Sequence, residues 1–76
     1  MDLLSRITVN RDVMVGKPII RGMRISVDQI LKALASGITS EELLADYPEL
    51  EPDDIKAALL YASKIIESEK VYRITA

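Results

Sequence analysis

The 76-residue chain has no cysteine, no histidine, no phenylalanine and no tryptophan, and only three glycines and three prolines. Without cysteine there is no disulfide framework, no thiolate nucleophile and no cysteine-ligated zinc, which fits a reducing compartment. Without histidine as well, the hydroxyls of Ser26, Thr39 and Ser40 lack an evident general base. No catalytic residue, cofactor or metal is therefore expected. The missing large aromatics leave Leu, Ile, Val and Ala to build the core. No apolar run approaches the ~18 residues of a membrane span. The opening "MDLLSRITV" carries an acid at position 2 and no stretch of signal-peptide length. A cytoplasmic protein that stays out of the membrane is the expectation.

What is present suits a packed domain: 49% of residues are hydrophobic and 29% charged, which argues against disorder. The length allows one domain, and a domain of this size buries only about 60% of the surface its unfolded chain exposes. Stability is then marginal without a partner. The net charge of −2 hides an asymmetry. Residues 1–38 carry a balance of +3, from Arg6, Arg11, Lys17, Arg21, Arg24 and Lys32 against three aspartates, whereas residues 39–76 carry −5. Local charge decides whether a surface attracts phosphates, so a nucleic-acid face belongs to the N-terminal half.

Along the chain, "RITV" at 6–9 alternates over β-branched residues and predicts a short strand. "IIRGMRI" at 19–25 predicts two short extended pieces around Arg21-Gly22, a small hairpin or arm in which Gly22 supplies a positive φ. Ser26 followed by Gln29 makes a capping box for a first helix, with Val27, Ile30, Leu31, Leu34 and Ala35 on one face and Gly37 as its stop. Thr39 and Glu42 form a second box, opening a short helix that Pro48 ends. Pro52 fits the first position of a third and longest helix, and Asp53 and Asp54 complement its dipole. Its apolar stripe is expected to run through Ile55, Ala58, Leu59, Ala62 and Ile66. That leaves Ala57, Leu60 and Tyr61 on the outer side, as extra core or as a dimer or partner surface. The tail "VYRITA" has β-type composition and could pair with Arg6–Val9 or with a partner. The predicted architecture is mainly α: a tri-helical helix-turn-helix bundle over residues 26–70, preceded by a β-arm over 1–25 and followed by a tail at 71–76.

The stretch "GKPIIRGMRISVDQIL" holds the candidate site. Gly16-Lys17 suggests a phosphate loop, but the next residue is Pro18, which has neither the N–H to donate nor the hydroxyl to hold magnesium. No G-x-G-x-x-G is present for a dinucleotide. As a basic arm the segment does better, since Lys17, Arg21 and Arg24 stand in a run without acids from Val13 through Val27. These cations can meet phosphates or an acidic partner site, or pair with the acidic C-terminal half. Gly16, Pro18 and Gly22 are read as its turn residues. Glu51, Asp53 and Asp54 would repel phosphates at the start of the third helix, so DNA contact there would fall to Lys56 and Lys64.

The pattern "GKPIIRG-x-R", a valine-led helix with a glycine stop, "EELLADYPEL" and an acid-led helix with "AALLYA" resembles the prokaryotic family catalogued as domain of unknown function 433, over about residues 7 to 62. Val15 stands where that family commonly has a second glycine, Met23 where threonine is common, and Glu51 where threonine usually caps the last helix. The resemblance implies a homeodomain-like tri-helical fold behind a β-arm. It also implies an antitoxin-like protein that neutralises a PIN-like ribonuclease toxin and, as a homodimer, binds its own promoter DNA. The family brings no catalytic residues with it. A stand-alone helix-turn-helix regulator, or a protein-interaction module using Leu60, Tyr61 and the tail, are the other readings.

Overall fold

The computed structural model of the chain describes residues 2–68. A 3-10 turn at Leu3–Arg6 leads into strand β1, Ile7–Val9, which pairs antiparallel with β2, Pro18–Ile20. Three helices follow: α1, Val27–Ala35; α2, Ser40–Asp46; and α3, Pro52–Ser68. The mainly α, tri-helical architecture behind an N-terminal β-hairpin is as the sequence predicts.

Local chemistry explains where the helices begin and stop. The Ser26 hydroxyl accepts from the Gln29 N–H at 3.0 Å, and the Gln29 side chain accepts from the Ser26 N–H at 2.8 Å, a complete capping box. At the other end Gly37 adopts φ +103°. Its N–H donates to the Leu34 carbonyl and the Ile38 N–H to that of Ala33, a Schellman stop in which glycine avoids the steric cost of the left-handed region. Thr39 and Glu42 repeat the box at α2 with 3.1 and 3.2 Å bonds.

The hairpin differs from its expected form. β1 and β2 meet through Ile7–Ile20, Thr8–Ile19 and Val9–Pro18, so residues 18–20 pair with the strand at 7–9 in addition to folding back on the residues that follow them. The expected turn is present too. The Met23 N–H donates to the Ile20 carbonyl at 2.6 Å, and Gly22 has φ +76° at the third turn position, as a type II turn requires. The chain then returns alongside β2, with the Ile20 N–H donating to the Ile25 carbonyl at 3.0 Å and Ser26 bridging Ile19. The proposed pairing of the tail with Arg6–Val9 lies outside the described residues.

The core joins β2 and all three helices: Ile20 and Ile25 from the N-terminal segment, Val27 and Ile30 from α1, Leu43 from α2, Leu50 from the loop, and Ile55 and Ala58 from α3, with half-buried Ile7 of β1 packed against it. Ile20 is 0% exposed, so residues 18–25 form a wall of the core and not an arm beside it. A second correction concerns α3. Ala57, expected outside, is fully buried, and Tyr61 packs against the core, whereas Leu59 and Ile66, expected inside, are 49% and 61% exposed. The 3-10 turn and β1 also pack on α3. They cover a side of the helix that three helices alone would leave open, and the buried face rotates accordingly.

One loop is strained. Met14 and Val15 have φ of 51° and 55°, followed by Gly16 at 76°, and Val15 is 94% exposed. A β-branched residue in the left-handed region costs about 1–2 kcal/mol from its Cβ, and nothing buried is gained in exchange. Val15→Gly is expected to stabilise the protein by about 0.5–1 kcal/mol after the greater unfolded-state entropy of glycine is set against it, measured as a higher urea midpoint.

Candidate functional site

The basic segment and the start of α3 are joined by a charge cluster built around Asp54. Asp54 is the third residue of α3 and its side chain is wholly buried. One oxygen accepts from Arg21 Nε at 3.0 Å and from Arg6 Nη1 at 3.0 Å; the other accepts from Arg21 Nη2 at 2.7 Å and from the Glu51 N–H at 2.8 Å. The fork of Arg21 thus grips the carboxylate with two bonds, the geometry a guanidinium is shaped for. Arg6 Nη1 also donates to Glu51 at 2.7 Å, and Arg21 Nη2 to the Glu49 carbonyl at 3.1 Å. Burial alone would raise the Asp54 pKa. The hydrogen bonds from Arg21, the Glu51 N–H and Arg6 outweigh it and hold the group below the usual carboxylate range.

Arg21 is therefore not an outward contact of an arm. Its guanidinium faces the acidic half of the chain, locking the Ile20–Met23 turn to the start of α3. Asp54, read from sequence as a dipole and capping residue, is also the counter-ion that two arginines share. Neither Arg6 nor Asp54 stood out as a site residue. The signal available was the opposed charge of the two halves, part of which is satisfied internally by this cluster.

The other candidates are dispersed. Arg24 is exposed on the far side of the turn and has no ion-pair partner among the described residues. It borders an open depression of about 410 Å³, shared with Met23, Tyr47, Pro48 and the acids Asp46 and Glu49. Lys17 stands 4.0 Å from Asp28, which also pairs with Lys32 at 3.3 Å. Lys56 is exposed and unpaired among the described residues, and Lys64 reaches Glu67 at 3.8 Å within α3. Leu60 is half-buried, and Tyr61 packs on the core while its flank lines a shallow apolar groove with Pro18, Val27, Leu31 and Ile65. Gly16 and Gly22 both take the positive φ expected of turn residues, and Pro18 opens β2. The structure does not gather Lys17, Arg21 and Arg24 into one basic patch: Arg21 points to the cluster, Arg24 to the depression, and Lys17 toward α1. No described helix is long and apolar enough to cross a membrane.

Comparison with known proteins agrees with this architecture. A crystal structure of a DUF433 member protein from Anabaena variabilis superposes with a TM-score of 0.77 at 34% identity, covering 82% of this chain and 61% of that one. An uncharacterized protein, y4eO, of Sinorhizobium fredii is 32% identical over 56 residues. That match takes in 74% of this chain but spans only 25% of the length of the relative. The family model described as "Protein of unknown function (DUF433)" matches residues 7–62, a span that holds the hairpin, all of α1 and α2, and the Arg21–Asp54 cluster. With the fold shared and the match running through most of its length, the chain belongs to the DUF433 family.

Proposed function

We propose that the protein is an antitoxin-like binding module that neutralises a PIN-like ribonuclease by presenting Arg24 to its carboxylate site. The observation that carries this reading is the contrast between two arginines on one turn. Arg21 is held by Asp54 and fixes the turn, while Arg24 is left exposed and unpaired among the described residues. A guanidinium entering a ring of carboxylates would occupy the place of their metal ion and form charge-assisted hydrogen bonds there. A rigid turn lowers the entropy lost on docking. Lys17, also on the N-terminal half and only 4.0 Å from Asp28, would add a second cation.

Co-expression with the product of the adjacent gene, which this reading expects to be a PIN-like nuclease, tests it. The wild-type chain is expected to copurify with the nuclease and restore growth. Arg24→Ala should weaken the complex at least tenfold, and Arg24→Glu should abolish protection while leaving the circular dichroism spectrum unchanged. Full protection by Arg24→Glu would remove Arg24 from the interface.

Promoter binding, as a second role of the same protein, would fall to Arg24 and Lys56, the exposed candidate cations without ion pairs among the described residues. Glu51 and Asp53 face solvent at the start of α3 and would repel phosphate there, which makes protein binding the better-supported reading.

A further inference from the structure

α3 carries an apolar stripe that the described residues leave largely uncovered, with Ala62 half-buried within it. Leu59 and Ile66 are 49% and 61% exposed, and between them lie the small residues Ala62 and Ser63. At about 100° per residue, these four positions fall within one sector of about 100° on the helix surface. Large apolar residues at the ends with small ones between is the profile of a helix that admits another helix at short range.

We propose that the partner on this face is a second copy of the chain, docked α3 against α3 in antiparallel fashion about a two-fold axis between Ala62 and Ser63. The spacing is self-complementary. In such a pair, residues whose numbers are equidistant from the axis lie at the same level, so Leu59 of each copy meets Ile66 of the other and the small pairs meet at the centre. The charges on the rim agree with this register. Lys56 and Glu67 are exposed and lie on the same edge of α3. An antiparallel two-fold brings that edge against itself, placing Lys56 within about two residues' rise of the second copy's Glu67. Lys64, which pairs with Glu67 within one helix, points away from the interface and can release it at little cost because both side chains are exposed. One helix pair buries less than the standard interface of about 800 Å² per partner, so the dimer is concentration-dependent rather than permanent. The turn that carries Arg24 lies outside this face, and the inference does not rest on the antitoxin reading.

Because the chain has no cysteine, one introduced thiol reports the geometry without interference. With helix axes about 8 Å apart, the two copies of residue 63 come within about 5–6 Å at Cα, the span of a disulfide. The full chain bearing Ser63→Cys is expected to form a covalent dimer under mild oxidation at least tenfold faster than one bearing Asp12→Cys, which is exposed on the loop between β1 and β2. Sedimentation of the wild type across a hundredfold concentration range should show a monomer–dimer equilibrium. Leu59→Glu with Ile66→Glu should raise its dissociation constant at least tenfold without altering the thermal melt of the monomer. Lys56→Glu should weaken the dimer, and adding Glu67→Lys should restore it. A wild-type chain that stays monomeric throughout, or Ser63→Cys oxidising no faster than Asp12→Cys, would overturn the proposal.

Discussion

Asp54→Ala is expected to lose about 2–4 kcal/mol of stability, a large share of what a domain this small possesses. Truncation removes the shared counter-ion of Arg6 and Arg21 and orphans the Glu51 N–H at the helix start. Breaking a fully buried ion pair costs about 3–5 kcal/mol. The figure here is lower because the Arg21 side chain is 37% exposed and can recover water. A urea titration followed by circular dichroism measures it, and a midpoint equal to the wild type would show the cluster to be incidental. The same group sets an acid limit. Its folded pKa lies below the unfolded value, so its contribution is complete above the ordinary aspartate pKa of about 3.9 and is lost as pH falls through the lower folded value. Asp54→Asn should therefore be less stable than the wild type at neutral pH, and the two should converge in acid.

Ile20→Ala should cost about 2–5 kcal/mol, the range for a fully buried isoleucine reduced to alanine. Its location makes the result diagnostic. Ile20 stands opposite Ile7 in the hairpin and also belongs to the cluster that includes Ile30, Leu43 and Ile55. Loss of its side chain should lower the melting of the helices themselves, in one transition shared with the hairpin. If the helical signal at 222 nm kept the wild-type midpoint, residues 18–25 would be a separable arm after all.

The helix boundaries were legible because their causes are local. Ser26 with Gln29 and Thr39 with Glu42 each complete a bond pattern within four residues, and Gly37 ends α1 through its own φ. Gly22 as a turn residue was legible for the same reason. The strand partner was not, since pairing Ile7 with Ile20 depends on how an intervening loop closes. Nor was the buried face of α3. Residues 57–62 read Ala-Ala-Leu-Leu-Tyr-Ala, an unbroken apolar run that marks a helix without saying which side is inside. The 3-10 turn, β1 and α1 made that choice by packing against it.

By itself, the sequence determined three helices with their starts and the stops of the first two, a glycine turn before the first, membership in a fold of this kind, and the exclusion of thiol and imidazole chemistry. Only the tertiary structure decided which cations remain available to a partner. Arg21 and Arg24 look alike in the sequence, three positions apart in one acid-free run. Arg21 meets a carboxylate 33 residues away and Arg6 meets the same one from 48 residues away, whereas Arg24 meets no acid among the described residues. Ion pairing depends on separation in space, and over such distances along the chain that separation exists only once the hairpin has closed onto α3.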